Sequence, residues 1–272
     1  KISAGFFHGY VAIGGGVCYT VSKHFIGRRE LKKEQLQIRT DGNILECSAL
    51  CKAYASTLAL DNVDLNIGRG GIVGLLGPNG SGKSTLIKLA MGMLQPTSGE
   101  VRIGGLKPCP ATKSVTAYLP DTNFLSNWMR VEQALAYSMD FFADFRREKA
   151  EAMLDRLGIG LKQPIRTLSK GNKEKLGLIL TMAREAELFI LDEPIAGVDP
   201  AARDFILETV LANKPAHATI FLCTHLIADV EPILTHAIFL NRGRVVLDED
   251  AEIVRSEKGK SLDEIFREVF RW

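Results

Sequence analysis

The sequence lacks a marked excess of charge of either sign. Its 34 Lys and Arg residues against 32 Asp and Glu leave a formal net charge of +2, whereas a general nucleic-acid-binding protein carries a clear basic excess. The sequence also lacks a Cys-X-X-Cys pair, and its five cysteines are odd in number. A zinc site or a disulfide framework is therefore disfavoured, and the pattern is typical of buried, reduced thiols in a cytosolic protein.

Residues 1–42 differ in composition from the rest of the chain. Residues 2–22 contain no formally charged side chain, and a basic cluster follows them at Lys23, Arg28, Arg29, Lys32 and Lys33. An uncharged stretch of this length with a basic flank is typical of a membrane span whose downstream side is cytoplasmic. We interpret residues 1–42 as an N-terminal extension, with a membrane-helix remnant plus a basic linker as one hypothesis. A disordered or fused extension and an additional packed element are the alternatives.

The rest of the chain is organised around the segment Gly-Pro-Asn-Gly-Ser-Gly-Lys-Ser-Thr at residues 77–85, which follows an apolar run at residues 72–76. The spacing of its glycines and lysine is typical of a phosphate loop, whose backbone N–H groups surround a phosphate at the start of a helix. The pattern predicts that Lys83 reaches the β- and γ-phosphates and that Ser84 ligates Mg²⁺. The predicted ATP-binding residues of this loop are Gly77, Pro78, Asn79, Gly80, Ser81, Gly82, Lys83, Ser84 and Thr85.

Around this loop the hydrophobic pattern predicts an α/β fold. Alternating residues at 44–50 and 59–67 indicate short antiparallel strands. Residues 121–185 have mostly helical periodicity. Continuous apolar runs at 188–191 and 219–223 are typical of parallel strands covered on both faces. We therefore predict a central, mostly parallel sheet, an antiparallel β-subdomain and a helical subdomain at about residues 121–185.

Polar residues follow both of the central apolar runs. Asp192 and Glu193 come directly after the first run, where an open α/β sheet presents side chains to its ligand. Asp192 is thus a predicted ligand of Mg²⁺, and Glu193 is predicted to orient or deprotonate the water that attacks the γ-phosphate. His225 follows the second run and is a candidate to contact the γ-phosphate or that water, although a lone histidine is more often structural.

The segment Leu-Ser-Lys-Gly-Asn at residues 168–172 precedes an apolar helical pattern at about residues 173–183. Ser169 is a predicted helix cap that leaves the N–H groups of the first turn facing an anion. A simple structural cap is the alternative from this segment alone.

Together these motifs resemble the ATP-binding subunit of an ATP-binding-cassette (ABC) transporter, over about residues 43–272. The resemblance implies that the predicted fold is the ABC cassette, a member of the phosphate-loop NTPases. The similar segments are residues 77–85 (Walker A), 168–172 (signature), 188–194 (Walker B with its catalytic Glu193), 197–200 (the D-loop with Asp199) and His225 (the switch histidine).

The resemblance also implies functions for individual residues. Tyr54, predicted to lie on a loop, would stack on the adenine of ATP. The signature residues Ser169, Lys170, Gly171 and Asn172 would face the ATP that a second copy binds. The expected cofactors are ATP and Mg²⁺, and the expected partners are a second ABC subunit in a head-to-tail dimer and a membrane permease, with no nucleic acid. The expected location is the cytoplasmic face of the cell membrane.

Three residues, in two motifs, depart from the family pattern. Lys170 and Asn172 replace a glycine and a glutamine of the usual signature. Asp121 stands where the family normally has a glutamine that contacts Mg²⁺ and the attacking water. Asp121 is therefore a third candidate metal ligand, but an ionised carboxylate cannot donate a hydrogen bond.

We predict an ATP-hydrolysing subunit that powers transport, most similar to those paired with small exporter permeases. One alternative is a non-transport ABC ATPase that acts on DNA or ribosomes. The sequence has neither the long coiled-coil insertion nor the second cassette of those proteins. The other alternative is a regulatory nucleotide-binding module with little turnover, which Asp121 makes conceivable.

Overall fold

The computed structural model describes residues 10–13, 17–20 and 38–270. Strands β1 (Tyr10–Ile13) and β2 (Val17–Thr20) pair antiparallel. The rest of the predicted extension up to residue 37, like residues 271 and 272, lies outside the described residues, so the hypothesis of a membrane-helix remnant stays a prediction. Within the described ranges, no helix has the length and apolar character needed to cross a membrane.

From residue 38 onward the chain alternates strands and helices. The described strands are β3 (Leu45–Tyr54), β4 (Thr57–Ile67), β5 (Ile72–Leu76), β6 (Ser98–Ile103), β7 (Thr116–Leu119), β8 (Leu188–Asp192), β9 (Thr219–Thr224), β10 (His236–Asn241) and β11 (Arg244–Asp250). The described helices are α1 (Lys83–Ala90), α2 (Pro110–Ser114), α3 (Val131–Phe141), α4 (Arg147–Arg156), α5 (Lys170–Met182), α6 (Pro200–Asn213), α7 (Ile227–Val230), α8 (Ala251–Lys258) and α9 (Leu262–Val269). Short 3-10 turns lie at Ile165–Thr167 and Glu231–Ile233.

The larger sheet has the strand order β11-β10-β5-β9-β8-β7. Its neighbouring strands are parallel except for the antiparallel pair β10–β11. Every residue of β5, β8 and β9 is buried, as the continuous apolar runs predicted for strands covered on both faces. Because these strands are parallel neighbours, their carboxyl ends meet at one edge, which brings together the segments that follow them.

A second sheet, with the order β4-β3-β6, is antiparallel throughout. It confirms the predicted antiparallel β-subdomain. The expectation that Tyr54 lies on a loop is wrong, because the pairing of β3 with β4 continues to the pair Tyr54 and Thr57. Tyr54 is therefore the last residue of β3, at the end of a hairpin.

Helices α3, α4 and α5 form the helical segment between β7 and β8. The buried Arg184 joins this segment to the larger sheet. Its guanidinium donates to the carbonyl oxygens of Thr116 (2.6 Å) and Ser114 (2.8 Å) beside β7, and Nε donates to Oδ1 of Asp144 (3.1 Å). At the other end of the sheet, Phe266 of α9 packs edge-on against Phe239 of β10.

Candidate functional site

The predicted phosphate loop connects β5 to α1, and close backbone approaches determine its shape. A Cβ atom on Gly77 would lie 2.4 Å from the carbonyl oxygen of Leu240. Gly82 has a φ of +112°, and a Cβ atom there would lie 2.5 Å from the carbonyl oxygen of Ala59. Side chains are thus excluded at both glycines. The loop ends at the first residue of α1, where free backbone N–H groups favour an anion.

Lys83 is buried and links this loop to the end of β8. Its Nζ donates to the carbonyl oxygens of Gly77 (2.6 Å) and Pro78 (3.2 Å). The same Nζ lies 3.8 Å from Oε1 of Glu193. The ammonium group therefore stands between the phosphate loop and the predicted catalytic carboxylate.

Asp192 ends β8 and is almost completely buried. Burial raises the pKa of its carboxyl to about 6. The charges of Asp121 and Glu193 also raise this pKa, whereas the Cys223 thiol and the charge of Lys83 lower it. Among the described residues, the Oδ1 atom has no hydrogen-bond partner.

A buried acceptor without a donor is unfavourable unless a cation or another donor satisfies it. The Oδ1 atom of Asp192 therefore fits a Mg²⁺ ligand. Ser84, the second residue of α1, supplies a hydroxyl oxygen of the kind that Mg²⁺ accepts.

Glu193 follows Asp192 and adopts an uncommon backbone conformation for a side-chain-bearing residue, with a φ of +49°. Its N–H donates to the carbonyl oxygen of Cys223 (2.8 Å). Both of its carboxylate oxygens lie 3.0 Å from Nδ1 of His225. The carboxylate also accepts a hydrogen bond from the hydroxyl of Thr224 (3.1 Å). The structure thus brings the predicted catalytic residues Glu193 and His225 into direct contact.

Tyr54 lies on the hairpin of β3 and β4, and among the described residues no hydrogen bond joins it to the phosphate loop. Its side chain is 43% exposed, and Nζ of Lys52 lies 5.2 Å from the ring centroid. The hairpin that carries Tyr54 passes the loop, since the carbonyl of Ala59 borders Gly82. The ring is therefore accessible for stacking, and its contact with adenine stays a prediction.

The signature residues lie at the start of α5. Ser169 caps the helix as predicted, accepting from the N–H of Asn172 (3.2 Å), although the helix begins at Lys170, earlier than we expected. The Lys170 side chain is 80% exposed and forms an ion pair with Glu174 (3.8 Å). In the part of the chain that the structure describes, no hydrogen bond or ion pair joins these residues to the phosphate loop.

The D-loop residue Asp199 is also a helix cap. Its Oδ1 accepts from the N–H of Ala202 (2.9 Å) at the start of α6. Helix capping within one chain is therefore sufficient to explain an aspartate at position 199. A function of Asp199 across a dimer stays a prediction.

Asp121 and Glu193 line the same cavity of about 180 Å³, which lies between the loop after β7 and the start of α5. Lys170 and Glu174 form part of its wall. Asp121 is exposed and is near enough to raise the pKa of Asp192 by its charge. A carboxylate at this position can therefore influence the metal side of the site, while its direct ligation of Mg²⁺ stays a prediction.

The sequence-based prediction missed two residues that contact the predicted catalytic groups. Cys223 is the register partner of Asp192 across β8 and β9, and the Thr224 hydroxyl donates to Glu193. Both lie on β9 directly before His225. A hydroxyl residue next to a candidate histidine at a strand end was a signal that could have identified Thr224.

Comparison with known proteins decides the family. The family model described as "ABC transporter" matches residues 60–196, which include the phosphate loop, the signature and Glu193. The chain belongs to the ABC transporter ATP-binding subunit family. Proteins of this family bind nucleotide and are generally ATPases.

Individual relatives agree with this assignment. The ABC transporter ATP-binding protein all4389 of Nostoc sp. (strain PCC 7120) is 30% identical over 227 residues, which cover 78% of this chain and 68% of the relative. The lantibiotic transport ATP-binding protein SrtF of Streptococcus pyogenes is 28% identical, with 82% of this chain and 96% of SrtF covered. A solved structure of an ATP-binding subunit of an ABC transporter has a TM-score of 0.74 and 30% identity, over 84% of this chain and 100% of that one. The fold of this chain is accordingly the ABC cassette.

Proposed function

We propose that this ABC subunit hydrolyses ATP and powers transport through a separate membrane permease, as one half of a head-to-tail dimer. The observation that carries the proposal is the position of Glu193 at the end of β8. Its carboxylate lies 3.8 Å from the Lys83 ammonium and 3.0 Å from His225, directly after the buried Asp192. This is the arrangement expected of a carboxylate that acts on water beside a bound γ-phosphate.

Different residues of the site bind the phosphates, the adenine and the metal ion. The backbone N–H groups of residues 77–85 and the Lys83 ammonium bind the phosphates, and the exposed ring of Tyr54 stacks on adenine. Ser84 and Asp192 would hold Mg²⁺, with Asp121 as the third candidate ligand. When bound, the metal ion offsets the negative charge of the β- and γ-phosphates.

Hydrolysis requires a water molecule in line with the γ-phosphorus. Glu193 orients this water and accepts its proton, while the new bond between oxygen and phosphorus forms and the bond to the bridging oxygen breaks. The products are ADP and inorganic phosphate. His225, whose Nδ1 contacts both oxygens of Glu193, holds the carboxylate in place and is itself 37% exposed.

In the proposed dimer, each subunit places its signature segment beside the ATP that the other subunit binds. Ser169 and Lys170 are exposed, which supports a function of the signature segment toward the ATP of a second subunit. The dimer would then close when it binds two ATP molecules and reopen after hydrolysis. This is a population shift, because the closed dimer binds ATP more tightly than the open dimer. The name of SrtF, a lantibiotic transport ATP-binding protein, supports a function of this chain in transport. We propose that this function is export, with the subunit at the cytoplasmic face of a membrane.

A low-turnover regulatory module is the second candidate function. The observation that favours it is Asp121, which lines the cavity beside Glu193 where the family has an amide. A carboxylate there repels the Glu193 carboxylate and cannot donate to the attacking water. The turnover number of the purified chain separates the two candidates.

The replacement Glu193→Gln tests the proposal. Because glutamine cannot accept the proton, we expect ATP turnover to fall by about 10²- to 10⁴-fold while ATP binding is retained. Phosphate release measures turnover, and isothermal titration measures binding. Glu252→Gln is the matched control, because Glu252 is 80% exposed on α8 and contacts Arg255. Unchanged turnover in the Glu193→Gln chain would refute the assignment of Glu193.

A further inference from the structure

Thr224 occupies a position between the elements that form the site. It is the last residue of β9 and has no solvent exposure. Its strand neighbours are β5, where Leu76 directly precedes the phosphate loop, and β8, which leads into Glu193. The Thr224 side chain is therefore enclosed by the segments that bind and act on the nucleotide.

The hydrogen bonds of this hydroxyl have a defined direction. The N–H of Leu226 donates to Oγ1 of Thr224 (3.1 Å), so this oxygen is the acceptor in that bond. The proton of the hydroxyl is then free to be donated to Oε2 of Glu193, 3.1 Å away. An ionised carboxylate can only accept, which agrees with this direction.

Glu193 depends on its neighbours for its position. Its φ of +49° is uncommon for a residue with a side chain, and such a conformation persists only where surrounding contacts determine it. Cys223 accepts from the Glu193 N–H, and Thr224 donates to its carboxylate. Consecutive residues of β9 thus hold both the backbone and the side chain of Glu193.

The two side chains that hydrogen-bond to the Glu193 carboxylate among the described residues, His225 and Thr224, differ in exposure. His225 is 37% exposed and touches both oxygens equally, at 3.0 Å each. Thr224 is buried and donates its hydrogen bond to Oε2. Oε1 is the oxygen that lies 3.8 Å from Lys83. The Thr224 bond therefore distinguishes the two oxygens and leaves Oε1 on the side of the phosphate-binding ammonium.

We propose that Thr224 is a positioning residue for ATP hydrolysis, whose buried hydroxyl holds Oε2 of Glu193 so that Oε1 meets the attacking water. The proposal rests on the proposed function of Glu193 as the group that activates this water. In this proposal Thr224 acts through Glu193, to which its hydroxyl donates. Its contribution is the orientation of the carboxylate, which should affect turnover and leave ATP binding unchanged.

The experiment compares Thr224→Val, which keeps the shape and removes the hydroxyl, with Thr224→Ser, which keeps the hydroxyl. In the full chain we expect Thr224→Val to lower kcat by about 10- to 100-fold, as is usual for groups that orient a reactive side chain, with KM within about threefold. Thr224→Ser should retain at least about a third of kcat, because the same bond can form. Thermal unfolding checks the fold, and Thr224→Ala replaces the valine variant if that chain is unfolded.

A second measurement distinguishes positioning from a general structural effect. In the Glu193→Gln background, adding Thr224→Val should change the residual turnover by less than about twofold, because groups that act as a unit are not additive. A full additional loss in this background, a kcat of Thr224→Val close to wild type, or an equal loss in Thr224→Ser would overturn the proposal. Normal turnover of Glu193→Gln alone would instead refute the proposed function.

Discussion

The phosphate-loop half and the signature half of the proposed site differ in where their contacts lie. Lys83, Glu193 and His225 are joined by contacts between segments that are far apart in the sequence. Ser169 and Lys170 are exposed and contact the first turns of their own helix, at Asn172 and Glu174. The sheet topology therefore assembles the first half within one chain, whereas the second half faces outward.

This difference has a physical consequence for mutations. A buried side chain of the phosphate-loop half, such as Lys83, has partners that lose their own contacts when it is removed, so its loss affects the isolated chain. A side chain in the exposed half has mainly water as its neighbour, so its loss should matter when something else binds there. Substitutions in the phosphate-loop half and in the signature half therefore test whether the first half functions within one chain and the second half toward a partner.

We expect the largest effect on nucleotide affinity from Lys83→Ala in the buried half. Removal of an ammonium from a buried, hydrogen-bonded charge cluster typically costs about 2–5 kcal/mol of binding free energy. ATP affinity should fall accordingly in isothermal titration with the full chain. Lys88→Ala is the control, because Lys88 is an exposed lysine of the same helix, α1. ATP affinity equal to wild type in the Lys83→Ala chain would contradict the predicted phosphate contact.

A much smaller effect is expected from Lys170→Gly in the exposed half, which restores the residue of the usual signature. An exposed ion pair contributes about 0–1 kcal/mol, and glycine in a helix costs about 1 kcal/mol relative to alanine. We therefore expect the unfolding free energy to fall by at most about 2 kcal/mol and the ATP affinity of a single chain to change by less than about twofold. Loss of affinity comparable to that of Lys83→Ala would show that Lys170 reaches the nucleotide of its own chain.

Sequence patterns predicted those features that depend on residues close together in the sequence. The spacing within residues 77–85 indicated the phosphate loop, and the apolar run before Asp192 indicated a buried central strand. The cap at Ser169 was also predicted from its own segment, and the structure contains it. In each case the physical signal is local, because a loop, a strand and a cap each involve a few consecutive residues.

Features that depend on strand order were not predicted. The bond between Thr224 and Glu193 requires β8 and β9 to be neighbours, which no local pattern specifies. The bonds of Arg184 to the carbonyls beside β7 likewise join segments about 70 residues apart. The position of Tyr54 was predicted incorrectly because strand pairing, rather than local propensity, determines where β3 ends.

The central claim is that one chain holds only part of the site and that a second chain completes it through its signature. Sedimentation of the full Glu193→Gln chain, with and without ATP, tests this claim most directly. We expect ATP to convert this chain into a dimer, and a further Ser169→Arg replacement to abolish that dimer. ATP affinity should stay within about threefold, because Ser169 is exposed and, among the described residues, its side chain bonds within its own segment. An ATP-dependent dimer that persists with Ser169→Arg, or no ATP-dependent dimer in either chain, would contradict the account.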